Sequence, residues 1–196
     1  ERKSFRAMKK NIVLVLADEL RADSLGCYGN AQVQTPRTDE LAKEGIRLGH
    51  HFTPHGKCVP SRCALYSGRY PNLGGHRTLG IELQRGEENL AWYLKRNAWE
   101  TRLVQRNHTI DKSWTLEVFD HWDLQPSPNP HFVIGQDVDE TDIRLFNWGV
   151  IEDPAYISTD RVHSDALCRW LREKDRKGRP FFTNLNWINP HPPYHA

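Results

Sequence analysis

The sequence lacks any hydrophobic run long enough to cross a membrane. Its longest apolar stretch is residues 11–17, Asn-Ile-Val-Leu-Val-Leu-Ala, whereas a transmembrane helix needs about 20 apolar residues. The stretch also differs from a secretory signal, because the charged pair Asp18-Glu19 follows it where a small-residue cleavage site should lie. We therefore expect no membrane partner. Met8 is a plausible natural start, so residues 1–7 are interpreted as extraneous and the protein as cytoplasmic.

A large excess of one charge is also absent. The chain has 27 Lys and Arg residues against 25 Asp and Glu residues, which gives a formal net charge of +2. This balance leaves no basic stripe for a nucleic-acid backbone and no acidic tail. We therefore expect no nucleic-acid partner.

Cysteine is scarce, and its spacing excludes two classes of site. Four cysteines in 196 residues are too few for a disulfide scaffold, and none lies in a Cys-x-x-Cys redox pair. His50, His51, His55 and Cys58 form a local cluster, but their spacing matches no closed zinc pattern. We interpret these histidines as solvated loop residues, with a metal site as the alternative.

Apolar runs and helical segments alternate along the chain, which predicts an α/β fold with a mainly parallel sheet flanked by helices. The first strand, residues 11–17, has the continuous apolar pattern of a strand buried on both faces. The predicted strands are residues 11–17, 46–52, 100–105 and 181–187, and the predicted helices are residues 38–45, 60–68, 87–97 and 158–174.

Residues 111–157 break the alternation, because prolines interrupt them and their aromatic residues follow no period. We predict an irregular excursion over the sheet edge there. Its aromatic side chains either stack on a sugar or aryl ring or pack the excursion onto the sheet. Since the sequence stops soon after the strand at 181–187, we expect a truncated C-terminus and interpret residues 1–196 as the N-terminal part of one domain.

Candidate functional residues follow from the rule that ligands bind outside the carboxyl ends of strands in open α/β sheets. Those at predicted strand ends or in the loops after them are Asp18, Glu19, Cys58, Arg106, His108 and His191. Asp18 and Glu19 suit either a helix N-terminus or a divalent cation. His108 suits either a catalytic role or an ordinary core or surface position.

The stretch from Cys58 to Arg62 is the most informative. Pro60 suits a first helical turn, which places Cys58 at a helix N-terminus. Free amides and the helix dipole favour an anion there by about 0.3–1 kcal/mol. Arg62 lies one turn further along and can return to the same spot. This combination fits a site for an oxyanion ester, and the alternative is a buried structural cysteine.

The longer stretch of residues 58–69, Cys-Val-Pro-Ser-Arg-Cys-Ala-Leu-Tyr-Ser-Gly-Arg, resembles the type I sulfatase signature. That signature is C-x-P-S-R followed by x-x-L-x-T-G-R, and Ser67 takes the place of the Thr. Residues 11–18, 23–29 and 35–45 are similar to the opening strand, first metal ligand, turn and first helix of that family. Residues 180–194 are similar to its strand ending in a P-H-x-P turn. The resemblance implies the fold of the alkaline phosphatase superfamily.

The resemblance also implies hydrolysis of a sulfate monoester on a sulfated small molecule or carbohydrate. A maturation enzyme would convert Cys58 to formylglycine, whose hydrate binds calcium or another divalent cation and attacks sulfur. The implied cation ligands are Asp18, Glu19 and residue 58. The resemblance further implies that Arg62 holds the diol and that Arg106 contacts sulfate or the diol. It implies proton transfer by His108, and it implies that His191 binds sulfate or protonates the leaving oxygen.

Three departures from the family pattern bear on these roles. Glu19 replaces a second Asp, and Gln105-Arg-Asn-His108 replaces G-K-x-H, which exchanges a compact ammonium for a broad guanidinium. The later Asp-Asn ligands and second Lys of the family have no match, so we expect no turnover from these 196 residues alone. A phosphonate or phosphate monoesterase and a non-catalytic relic remain as alternatives.

Overall fold

The structure, a computed structural model, describes residues 10–124, 147–149, 158–174, 178–191 and 194–195. Residues 1–7 and most of the predicted excursion lie outside this part of the chain. In chain order the strands are β1 (Ile12–Ala17), β2 (Glu100–Gln105), β3 (His121–Asp123), β4 (Asn147–Gly149), β5 (Phe181–Trp187) and β6 (Tyr194–His195). The α-helices are α1 (Pro36–Glu44), α2 (Cys58–Ser67), α3 (Pro71–Gly74), α4 (Leu90–Arg96), α5 (Thr115–Val118) and α6 (Thr159–Glu173).

The main sheet has the strand order β1-β5-β2-β3, and all its pairings are parallel. β5 lies between β1 and β2, with Asn184 paired to Leu14 on one side and to Leu103 on the other. The short strands β4 and β6 pair with each other, also in parallel. This topology confirms the predicted α/β fold with a parallel sheet flanked by helices, and none of the described helices is long and apolar enough to span a bilayer.

The prediction that β1 is buried on both faces is wrong. Its side chains at Val13 and Val15 are 48% and 43% exposed. The physical reason is position, because among the described strands β1 pairs only with β5 and therefore lies at the sheet edge. A continuous apolar run does not distinguish an edge strand from a central one.

The predicted strand at residues 46–52 is also wrong, since these residues form a loop. Ile46 and Phe52 are 90% and 81% exposed, so the apolar side chains of this loop make no core. The preceding helix begins earlier than predicted. Thr35 is the N-cap residue of α1, and Pro36 takes the first helical position, where its missing N–H needs no partner.

Helix α2 confirms the predicted helix at residues 60–68 and the position of Cys58 at its N-terminus. It spans Cys58–Ser67, and Gly68 follows with a φ of 68°, the left-handed conformation that commonly closes a helix. Val59, Cys63 and Tyr66 from this helix enter the core against the sheet. The packing fixes the direction of α2, so that its first residue lies at the carboxyl end of the strands.

Helix α4 is shorter than predicted because Asn89 caps it, with its side-chain oxygen accepting from the amide of Trp92 at 3.0 Å. Ala91 and Leu94 are buried on its inner face. Tyr93, on the same helix, is exposed.

The first part of the predicted irregular segment is regular. Residues 115–118 form α5 and residues 121–123 form β3, which extends the sheet beside β2. Trp114 and Phe119 are buried in the core, and the Trp114 ring packs edge-to-face on Trp92 with centroids 5.8 Å apart. These two rings therefore pack the fold, as the alternative for this segment stated.

Candidate active site

The parallel sheet brings the ends of three strands to one edge. Asp18 follows β1, Arg106 follows β2, and the turn that carries His191 follows β5. The N-terminus of α2 lies against the same edge, where an open cleft has a volume of about 240 Å³. The ionisable side chains that line the cleft are Asp18, Glu19, His55, Lys57, Cys58 and Arg62.

Cys58 lies at the junction between this cleft and the turn after β2. Its Sγ is 3.6 Å from Nδ1 of His108, and the residue is half-buried. Cys58 is therefore not sealed in the core, in contrast to Cys63, which is fully buried on the same helix. The position favours a chemical role over the alternative of a structural cysteine.

His108 is held from its other side by Arg106, whose Nε donates to Nε2 of the imidazole at 2.8 Å. A guanidinium has only donors, so Nε2 is the acceptor and the ring proton resides on Nδ1, which faces the sulfur. Burial lowers the pKa of His108 to about 4, with a further lowering from the charges of Arg106 and Arg62. The neutral ring is thus a hydrogen-bond donor toward residue 58.

Asp18 is the buried anion of the site, with 4% of its surface exposed. Its Oδ2 lies 3.7 Å from Nη2 of Arg62 and 3.6 Å from Nη1 of Arg106. These contacts are ion pairs at long range, and Oδ2 has no hydrogen bond. Two fixed cations therefore offset the carboxylate, which keeps an oxygen available for a further ligand.

The donor atoms fit a cation at this point. Ligand atoms of Asp18, Cys58 and His108 all lie within 4.8 Å of one another, and Asp18 and Cys58 are the two that can ligate, because both nitrogens of His108 are engaged. A buried carboxylate oxygen without a hydrogen bond is the kind of atom that a divalent cation completes. Glu19, also predicted as a ligand, lines the same cleft but is not part of this group, because its half-exposed side chain places Oε1 3.6 Å from Nε2 of His191. Its φ of 62° turns the chain away after Asp18.

Arg62 is buried behind Cys58 and held by a residue that the sequence analysis missed. Its Nη1 donates to Oδ1 of Asn186 at 2.7 Å, and Nδ2 of Asn186 donates to the carbonyl of Arg106 at 2.6 Å. Asn186 therefore joins the signature helix to the turn after β2. The available signal was an amide side chain within the largely buried strand β5, beside a second buried one at Asn184.

A second missed residue is Asp160, in the first turn of α6. Its carboxylate accepts hydrogen bonds from the last residue of β2 and from the turn that follows β5. An acidic residue in a first helical turn is common, so the sequence carried no signal for this role.

The histidine cluster noticed in the sequence does not form a site among the described residues. His50 and His51 are exposed, and Nδ1 of His55 accepts from the backbone amide of Lys57 at 3.0 Å. From this cluster, Cys58 alone joins the group around Asp18. The structure therefore supports the interpretation of these histidines as loop residues.

Comparison with known proteins places this site in a family context. The family model described as Sulfatase matches residues 10–196. Arylsulfatase D of Homo sapiens is 36% identical over 119 residues, which make up 55% of this chain and 20% of that protein. The chain thus spans about a fifth of that relative's length.

Solved structures show the same fold. One is a protein in complex with its substrate D-glucosamine-2-N,6-O-disulfate, with a TM-score of 0.69, 20% identity, and coverage of 93% of this chain and 35% of that chain. Another is the phosphonate monoester hydrolase of Agrobacterium radiobacter, with a TM-score of 0.66, 23% identity, and coverage of 96% and 42%. The C-x-P-S-R residues begin α2 beside a buried Asp at the end of β1, and the family model covers nearly every residue. This chain therefore belongs to the sulfatase family.

Proposed function

We propose that the protein carrying this chain hydrolyses a sulfate monoester, with residue 58 as the source of the nucleophile. One observation carries the proposal. Cys58 is half-buried at an open cleft, within 3.6 Å of a neutral His108 and next to the buried carboxylate of Asp18. A nucleophile, an oriented imidazole and a candidate cation ligand thus meet at one point.

The chemistry of the family requires two groups that the chain's residues would hold. Asp18 and residue 58 are the proposed ligands of calcium or another divalent cation, and formylglycine is the proposed mature form of Cys58, produced by a maturation enzyme. The cation supplies charge stabilisation, and hydrated formylglycine supplies a hydroxyl nucleophile. The partial exposure of Cys58 is compatible with its modification.

The remaining residues counter the charge of the substrate. A sulfate ester is an anion, and a carboxylate about 4 Å away repels it by about 4 kcal/mol at an effective dielectric constant of about 20. Arg62, Arg106 and the free amides at the start of α2 oppose this repulsion. Arg106 is partly exposed, so its guanidinium can hold His108 and still face a bound sulfate.

His191 and the substrate class complete the proposal. His191 follows β5 at the same sheet edge, and we propose that it binds sulfate or protonates the leaving oxygen. We propose a sulfated carbohydrate or small molecule as substrate, supported by the fold shared with the protein solved with a sulfated glucosamine.

The complete protein tests this proposal after co-expression with a formylglycine-generating enzyme. We expect mass spectrometry to show conversion at residue 58 and the enzyme to turn over 4-nitrophenyl sulfate. Cys58→Ala should remove both signals, whereas Cys168→Ala, at an exposed cysteine on α6, should leave both unchanged. Persistent unmodified thiol at residue 58 together with full turnover would contradict the proposal.

A phosphonate or phosphate monoesterase is the second candidate. Two guanidinium groups close to the nucleophile also suit a more highly charged tetrahedral oxyanion. The fold shared with a phosphonate monoester hydrolase supports this candidate too. Parallel assays with an aryl sulfate, an aryl phosphate and an aryl phosphonate separate the two by the ratio of their kcat/KM values.

A further inference from the structure

The carboxylate of Asp160 accepts four hydrogen bonds, one from the last residue of β2 and three from the turn after β5. Its Oδ1 accepts from Nε2 of Gln105 and from the amide of Ile188, both at 2.8 Å. Its Oδ2 accepts from the amide of Asn189 at 2.9 Å and from Nδ2 of Asn189 at 2.8 Å. Asp160 therefore connects the carboxyl ends of β2 and β5 through one side chain.

Arg106 follows β2 and His191 lies in the turn after β5, at the edge of the sheet where Cys58 lies. Gln105 immediately precedes Arg106, and its φ of 73° is a left-handed conformation that a residue with a side chain adopts only when its surroundings hold it. Ile188 and Asn189 begin the turn that carries His191, whose amide donates to the carbonyl of Ile188 at 3.0 Å. The orientation of Arg106 and His191 thus depends on how these turns are fixed.

A helix-capping role does not account for Asp160. The N-cap of α6 is Ser158, whose side chain accepts from the amide of Arg161 at 3.2 Å. The carboxylate oxygens of Asp160 instead point away from their own helix toward β2 and β5. A second bond fixes α6 in this position, because Nε1 of Trp187 donates to Oγ of Ser164 at 2.8 Å.

Resting on the proposed function, we propose that Asp160 is a positioning residue that keeps the Arg106 turn and the His191 turn in register around residue 58. The chemistry demands a carboxylate, since four donors converge and an ionised Asp offers acceptor sites on both oxygens without any N–H of its own. An Asn at this position would present an NH₂ group to two of those donors. Whichever way that amide turned, either Gln105 and Ile188 or both donors of Asn189 would lose their acceptor, which loosens the turn after β5.

The experiment compares Asp160→Asn with Asp165→Asn in the complete protein. Asp165 lies on the same helix, is exposed, and pairs with Arg161 alone among the described residues, at 2.7 Å, so it controls for the loss of a charge on α6. Hydrogen-exchange mass spectrometry follows the peptide that spans residues 186–191. We expect exchange of the amides of Ile188 and Asn189 to become at least 10-fold faster in Asp160→Asn and to stay unchanged in Asp165→Asn.

A kinetic readout separates positioning from general stability. At a temperature where both variants remain folded by circular dichroism, Asp160→Asn should lower kcat/KM for 4-nitrophenyl sulfate at least 10-fold. It should weaken inhibition by inorganic sulfate in parallel, and Asp165→Asn should change neither. Asp160→Glu and Asp160→Gln form a second matched pair, because they add the same methylene and differ in acceptor chemistry. Glu should retain more amide protection than Gln.

Three results would overturn the proposal, and a fourth would overturn the proposed function. One is amide hydrogen exchange at the wild-type rate in residues 186–191 of Asp160→Asn. If Asp160→Asn does not fold, equal amide protection in Asp160→Glu and Asp160→Gln would overturn the proposal. Unchanged kcat/KM in a folded Asp160→Asn enzyme would also overturn it. A wild-type protein that neither turns over nor binds sulfate would overturn the proposed function instead, and hydrogen exchange would still decide whether Asp160 holds the two turns.

Discussion

At the scale of single residues, the site is a set of side chains that restrain each other's chemistry. Arg106 fixes which nitrogen of His108 carries the proton, and Asn186 fixes Arg62. The signature from Cys58 to Arg62 was predictable, because helix-start chemistry and family resemblance agree there. The roles of Asn186 and Asp160 were not, since both depend on contacts between residues far apart in sequence.

Cation binding is predicted to depend far more on Asp18 than on Glu19. Asp18 is buried with an oxygen lacking a hydrogen bond, whereas Glu19 is half-exposed and faces His191. In the complete protein, we expect Asp18→Asn to weaken calcium binding at least 100-fold and Glu19→Gln to weaken it less than 10-fold. Isothermal titration calorimetry measures both, and equal losses would show that Glu19 moves into the site.

The tautomer of His108 is a second prediction at this scale. Because Nε2 accepts from Arg106, the Nδ1–H form should dominate in the wild-type protein. Long-range ¹H–¹⁵N correlation spectra of protein labelled at histidine nitrogens should show a protonated Nδ1 and an unprotonated Nε2. Arg106→Ala should reduce the population of this tautomer, while the spectrum of His76, which contacts Ile81 and Glu87, serves as the internal control. A wild-type ring protonated at Nε2 would contradict the assignment.

At the scale of elements, the sequence predicted β2 and β5 to the residue but misjudged the segments around them. Both strands are bounded by strong helix-end and turn signals, so the neighbouring sequence determines where each strand begins and ends. The loop at residues 46–52 carries apolar residues without a partner strand, and the pairing that decides such a segment is not encoded in its own pattern. β3 was missed because its three residues are too few to show a period.

Helix α4 offers a test of local stabilisation. Asn89 is buried and caps the helix by accepting from the amide of Trp92. We expect Asn89→Ala to lower the free energy of unfolding by about 1 kcal/mol and Asn89→Asp, which keeps the acceptor oxygen, to cost clearly less. Urea denaturation of the two variants measures the difference, and identical midpoints would show that the cap contributes nothing.

At the scale of the whole molecule, the strands of the described sheet differ in how far they are buried. The strands β5 and β2 are covered on both faces, whereas β1 exposes Val13 and Val15 at the edge of the sheet. Among the residues that the structure describes, the outer edge of β1 has no partner strand, and an apolar edge of this kind is a site for association with other chains. The family model and the fold neighbours agree with the architecture, and the location of its edge came from the structure alone.

The exposed edge predicts that the 196-residue chain, expressed by itself, associates with itself. A lysine on the edge strand should oppose this association, since charged side chains block edge-to-edge pairing. We expect Val15→Lys to lower light scattering by at least half at equal concentration. Tyr93→Lys, at an exposed apolar position on α4 away from this edge, should leave the scattering unchanged. Equal behaviour of the two variants would place the association surface elsewhere.

The strand order has a consequence for how the protein is synthesised. β5 follows β1 and β2 along the chain, yet it lies between them in the main sheet. On the ribosome, the edges of β1 and β2 that pair with β5 stay unpaired until residues 181–187 have left the exit tunnel. While the residues between β2 and β5 are synthesised, the nascent chain therefore carries two incompletely paired strands, and this is the period in which chaperones would engage it.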